Sequence, residues 1–137
     1  MSRPFATCLV VLGLLAAAPA WARGEATPLK FAPGASSASV QGGAPQGLHA
    51  HYTLGARKGQ KMKLRVSSTG NNAGIAIFLP GWTFDKDGYP SGKMLAGAGE
   101  KEDVSTWNGT LPASGTYLVD IGGRHGGTDY KLTVEIK

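Results

Sequence analysis

Several groups of residues in this sequence could do chemistry, and each sets a geometric condition. His49 and His51 are spaced i, i+2, which on an extended strand puts both imidazoles on one face, where a metal could use them. No third ligand is evident from spacing, and such residues often simply face solvent. Ser114 and His125 supply a nucleophile and a base, but no G-x-S-x-G elbow surrounds the serine, and serine beside glycine is ordinary turn chemistry. Carboxylates gather at Asp85 and Asp87 and again at Glu100, Glu102 and Asp103, inside one polar stretch where solvated charge is the default. Acids that cleave glycosides must instead face each other across a cleft. Asp85-Lys86-Asp87-Gly88 opens like a calcium loop, yet Tyr89 stands where an oxygen ligand belongs and Ala96 where the bidentate glutamate would be, so an Asp-Gly turn is the simpler reading. Residues 122–129 set Arg124 and His125 among four glycines. A guanidinium pairs with carboxylate through two parallel bonds, and an imidazole gains charge near pH 6. Trp82, Tyr89 and Trp107 could stack on the apolar faces of sugars, as a cell-wall glycan would require; Trp107 is expected in or beside the core. Together these sets point to binding rather than catalysis, with no metal or cofactor expected.

Positioning such residues requires strands. Leu48, Ala50, Tyr52 and Leu54 alternate with polar residues, as do Met62, Leu64 and Val66 with Lys61, Lys63 and Arg65. The same period of two runs through Tyr117, Val119 and Ile121, and through Tyr130, Leu132, Val134 and Ile136. Ile75, Ile77 and Leu79 alternate with Ala76 and Phe78, so that segment is apolar on both faces and reads as a central strand. Weaker strands are expected at 29–32, 38–41 and 105–111. No segment sustains a 3.6-residue apolar period, and the 21 glycines favour turns over helices. Arg57-Lys58-Gly59-Gln60 reads as a hairpin turn and Pro112-Ala113-Ser114-Gly115 as another tight connection. Strands with one polar face each need a second sheet to cover the apolar one. The expected fold is therefore all-β, an antiparallel two-sheet sandwich of about eight strands. The stretch 80–103 is a long, glycine-containing connection that could hide a short strand near 93–95.

The first residues read differently. Met1, Ser2 and Arg3 precede an apolar run containing Leu9-Val10-Val11-Leu12, and Ala20-Trp21-Ala22 gives the small-x-small pattern of a cleaved secretory signal. The expected division is a signal over 1–22 and one binding domain over 23–137, exported to the periplasm or secreted, with no membrane anchor. The only cysteine, Cys8, falls inside the signal, so the domain has no disulfide and depends on its core. Of the 14 basic and 9 acidic side chains, residues 1–22 hold only Arg3, leaving 13 against 9, net +4. That excess favours acidic partners or pockets, and export argues against nucleic acid.

Three segments carry a family resemblance. Lys58-Gly59-Gln60-Lys61, Leu111-Pro112-Ala113-Ser114-Gly115-Thr116-Tyr117 and Tyr130-Lys131-Leu132-Thr133-Val134-Glu135-Ile136-Lys137 resemble, in order and rough spacing, the periplasmic inhibitors of g-type lysozyme of Gram-negative bacteria. The same turn and final strand are also similar to pre-peptidase C-terminal-like sandwich domains, a resemblance that implies instead a saccharide- or cell-envelope-binding module. The resemblance implies an exported β-sandwich whose partner is lysozyme, with a rigid loop entering the enzyme's cleft. It implies contacts from Arg124 and His125, from Ser114 and Tyr117 of the Ser-Gly-x-Tyr motif, and from Trp82 and Tyr89 as aromatic anchors. Alternation places Tyr117 inward, where it would hold the Ser114-Gly115 corner. The sequence departs from the inhibitor pattern in having a shorter, less basic loop before the final strand.

Overall fold

The computed structural model describes residues 24–137, so the expected signal over 1–22 lies outside the described residues. Ten strands follow in order: β1 (Thr27–Pro28), β2 (Ser37–Ala44), β3 (Ala50–Ala56), β4 (Lys61–Ser67), β5 (Ala73–Phe78), β6 (Thr83–Phe84), β7 (Pro90–Ser91), β8 (Thr106–Thr110), β9 (Gly115–Gly123) and β10 (Thr128–Ile136). One sheet has the order β1-β3-β9-β5, the other β2-β10-β4-β8, and β6 pairs with β7 alone. The expected two-sheet sandwich is present, with eight strands in its two layers.

Alternation explains the layers. In β4, Met62, Leu64 and Val66 are buried while Lys61, Lys63 and Arg65 are exposed. In β10, Tyr130, Leu132, Val134 and Ile136 point the same way. They meet Ala50, Tyr52, Leu54, Ile75, Ile77, Tyr117, Val119 and Ile121 of the facing sheet in one core. Each large side chain so buried contributes about 1.5–3 kcal/mol. Between the layers the hydroxyls of Tyr52 and Tyr130 hydrogen-bond at 2.5 Å.

Three expectations need correction. The segment 29–32 is not a strand; the short β1 precedes it and pairs with β3 in parallel, while Leu29 and Phe31 pack on the core. The turn 57–60 is not a hairpin, because β3 and β4 belong to different sheets. Nor is β5 central: it pairs only with β9 among the long strands. Its two apolar faces have another cause. Ala76 and Phe78, with Leu118, form a second small core beneath Trp82, Phe84 and Met94, so the β6–β7 hairpin roofs the outer face of the β3-β9-β5 sheet. The open edge of β5 is met by 93–104: Leu79 N–H donates to Lys93 O, Leu95 N–H to Ile77 O, and Ile75 N–H to Val104 O. The short strand expected near 93–95 is thus an edge contact, bridged at Phe78 and Met94.

The connections collect at two ends. At one lie the turns 57–60 and 112–115, with Pro80 and Trp82. At the other lie 45–49, 68–72 and 124–127, which join β2 to β3, β4 to β5 and β9 to β10.

Candidate functional site

The two ends divide the residues singled out in the sequence. Ser114, Tyr117 and Trp82 belong to the first. Tyr117 is wholly buried, and its hydroxyl donates to Ala113 O at 2.6 Å, holding the corner as alternation implied. Gly115 has φ +140°, and a β-carbon there would fall 2.8 Å from Pro80 Cβ. Ser114 Oγ accepts from Lys58 N–H at 2.8 Å, tying two crossing turns together. Trp82 is half-buried, donates from Nε1 to Thr116 O at 3.0 Å, and packs edge-on against Phe84. The Ser-Gly-x-Tyr motif therefore has an architectural role at this end.

Arg124 and His125 belong to the other end, where the 124–127 loop is rigidly held. Arg124 Nε donates to Asp103 Oδ1 at 2.8 Å and Nη2 to Asp103 O at 2.7 Å, while Nη1 donates to Asn71 O. Asn72 fixes the loop from beneath: its Oδ1 accepts from His125 N–H at 2.8 Å and its Nδ2 donates to Gly127 O at 3.0 Å. Gly123 has no room for a side chain, because a β-carbon would collide with Gly126 O. These bonds leave the His125 side chain exposed at the tip. Since Ser114 and His125 sit at opposite ends, they cannot form a nucleophile and base pair.

Beside this loop two clefts adjoin on the outer side of the β3-β9-β5 sheet. His49, Glu100, Asp103, Asp120, Gly122 and Arg124 line the first, of about 130 Å³. The second, of about 110 Å³, shares His49, Glu100 and Asp120 and adds His51, Leu48 and Tyr89. Strand register builds them: His51 stands opposite Asp120, and His49 lies two residues before it on the same face. His49 Nδ1 bonds Asp120 Oδ1 at 2.6 Å. Its ring lies over Gly122, where a β-carbon would come within 2.6 Å of Nε2. His51 Nε2 is 3.8 Å from Asp120 Oδ2, too far for a hydrogen bond.

The charges here act on one another. The hydrogen bond to Asp120 raises the His49 pKa above its usual value, against the opposing effect of burial, and the charges of Asp120 and Glu100 add to it. Burial pushes the Asp120 carboxyl up, but the His49 hydrogen bond and the weaker pull of His51 outweigh it and hold the group below the usual carboxylate range. No group of three or more His, Cys, Asp or Glu among the described residues is placed to hold a metal ion. The Asp85 region is a turn: Asp85 Oδ1 accepts from Asp87 N–H and Tyr89 N–H, and Gly88 takes φ +81°.

Tyr89, on this turn, is the one exposed large hydrophobic among the described residues, at 49 %. The structure thus brings Tyr89, Arg124 and His125 to one shoulder of the molecule and leaves Ser114, Tyr117 and Trp82 at the far end. Sequence reasoning missed Asp120 and the place of Glu100. The signal for Asp120 was a lone acid at the outward position of an otherwise apolar strand. Trp107 packs at the edge of the core as expected, with Nε1–H donating to Ala96 O.

No family model and no curated protein matches the chain. Solved structures do. The chain is similar to Aeromonas hydrophila PliG, a periplasmic lysozyme inhibitor of g-type lysozyme, with 30% identity over 82% of this chain and 96% of that one, TM-score 0.62. The PliG of Salmonella Typhimurium, described in the same words, is 25% identical over 83% and 99% of the two chains, TM-score 0.58. A mutant of the Escherichia coli inhibitor shares the fold at 24% identity, covering 83% and 99%, TM-score 0.58.

Proposed function

The chain belongs to the family of periplasmic inhibitors of g-type lysozyme, and we propose that it blocks the lysozyme cleft with the shoulder formed by the 124–127 loop and Tyr89. It is an exported lysozyme inhibitor, periplasmic or secreted, and its partner is a lysozyme. The observation that carries this is identity of 30% sustained over 96% of the Aeromonas inhibitor.

A lysozyme cleft holds a carboxylic acid of raised pKa and usually a second carboxylate. The shoulder meets such a cleft with a tip already fixed before binding, which lowers the ordering cost of association. His125 is the exposed donor at that tip, and charge on its ring strengthens any bond it makes to a carboxylate. Arg124 acts by holding the tip in place through Asp103 and Asn71. Tyr89 supplies the aromatic anchor, a residue type that dominates many interfaces. Ser114, Tyr117 and Trp82 serve by fixing the opposite end. The protein acts by occupying its target rather than by turning over a substrate.

The test is lysis of bacterial cells by goose-type, chicken-type and invertebrate-type lysozymes with the purified domain in micromolar excess. Inhibition of the goose type is expected. Undiminished lysis by all three would defeat the reading.

A further inference from the structure

We propose that the paired clefts around Asp120 and Glu100 form a socket for a cationic side chain, lysine or arginine, projecting from the lysozyme surface. This rests on the inhibitor reading but concerns a contact distinct from the loop tip.

Three observations carry it. The first is His51. It is 4% exposed, lines the inner cleft, and neither ring nitrogen has a hydrogen-bond partner among the described residues. A buried polar group left unpaired destabilises the free protein, so a ligand that pairs it is favoured. The second is spacing. His51 Nε2 and Asp120 Oδ2 are 3.8 Å apart, too far to bond each other. Both ring nitrogens are covered in the free protein, so a cation reaches them by entering between His51 and Asp120 and parting the two side chains, where one ammonium or guanidinium nitrogen can hold both at about 2.9 Å. Glu100, exposed at the mouth shared by both clefts, meets the rest of the cation's charge. A cleft of about 110 Å³ accepts the end of such a side chain but not a folded loop.

The third observation is how charge is divided over the molecule. Six of the 9 acidic residues (Asp85, Asp87, Glu100, Glu102, Asp103 and Asp120) fall between positions 85 and 120, where only Lys86, Lys93 and Lys101 oppose them. The outer face of the β2-β10-β4-β8 sheet instead carries Lys61, Lys63, Arg65 and Lys131. Arg124 lines the first cleft and pairs Asp103, and Asp120 is buried against His49, so the acids turned outward on this side are Asp85, Asp87, Glu100 and Glu102. Such a side steers a basic partner and fixes its orientation even when the two proteins repel as wholes.

Two measurements test the socket. In inhibition assays, Glu100→Lys should raise the inhibition constant at least tenfold, the size of about 1.4 kcal/mol. Asp120→Asn should also raise it, while Lys63→Glu on the opposite sheet stays within twofold. Independently, the imidazole signals of His49 and His51 are followed by NMR during titration with n-propylguanidinium chloride, with sodium chloride as control. Saturable shifts with the guanidinium alone, abolished in Asp120→Asn, support the socket. If the parent protein inhibits and Glu100→Lys stays within twofold with no such shifts, the socket is overturned and the inhibitor reading stands. If no g-type lysozyme is inhibited, the inhibitor reading fails, and shifts or their absence still decide whether the cleft takes a cation.

Discussion

Replacing Arg124 with alanine separates a residue that holds a loop from one that touches the enzyme. In the free protein Arg124 makes an ion pair with Asp103 and donates to two backbone carbonyls, those of Asp103 and Asn71. The Asp103 carboxylate is 59% exposed, so the ion pair itself contributes only about 0.2–1 kcal/mol. The carbonyls take charge-assisted bonds worth more in shielded positions, but both regain water after truncation. A total of about 2 kcal/mol follows. For a domain of this size that lowers Tm by about 8 °C, at roughly 4 °C per kcal/mol. Arg124→Lys, which keeps the charge but loses the forked geometry, should recover less than half. A cycle with Asp103→Ala should show coupling of about 0.5–1 kcal/mol. Thermal unfolding gives these numbers, and inhibition assayed well below Tm shows whether loss of the brace disorders the tip. Tm within about 2 °C of the parent, with inhibition weakened tenfold, would refute bracing and make Arg124 a direct contact.

Three further outcomes are expected. His125→Ala should leave Tm unchanged within about 1 °C and weaken inhibition at least fivefold, measured by the same lysis assay; an unchanged inhibition constant counts against the tip. Tyr130→Phe leaves the buried Tyr52 hydroxyl without its partner and should cost about 1–3 kcal/mol in urea unfolding, whereas Tyr52→Phe/Tyr130→Phe together should cost less than the single change. The His49–Asp120 pair predicts a stability window. His49 has a raised pKa, so its contribution is complete below about pH 6.5 and fades as pH climbs through the raised value. Asp120 is held low, so its contribution is present above about pH 3.9 and is lost as acid carries the pH down through its folded value. The stability difference between the parent and His49→Gln should accordingly be larger at pH 5 than at pH 8.5; an equal or reversed difference would defeat the pairing.

Much of the framework was legible because one physical rule governs it. Met62, Leu64 and Val66, like Leu132, Val134 and Ile136, announce a buried face by alternation alone, and Tyr117 falls inward on the same count. Alternation does not say which sheet a strand joins. A four-residue turn such as 57–60 looks the same whether it folds a hairpin or crosses between layers. For β5 the apolar pattern shows that both faces are covered but not by what, since Ala76 and Phe78 face a roof built by residues that follow them. The cleft was hidden for a related reason. His49 and Asp120 lie 71 residues apart and meet only through cross-strand register, which no local pattern encodes.

The order in which the strands are laid down has a consequence for biogenesis. Along the chain, β1, β2, β3, β4, β5, β8, β9 and β10 fall alternately in one sheet and the other. No two successive members of the sandwich are hydrogen-bonded neighbours, and β10, made last of the ten, lies between β2 and β4. Pairings this remote form slowly, since long loops must close before any bond rewards them. A nascent chain therefore cannot complete the β2-β10-β4-β8 sheet until its final residues emerge, and a chain that has not yet folded is the cargo a translocation pore accepts. Deleting 128–137 should leave a polypeptide that crosses the membrane but is cleared by proteases on the far side.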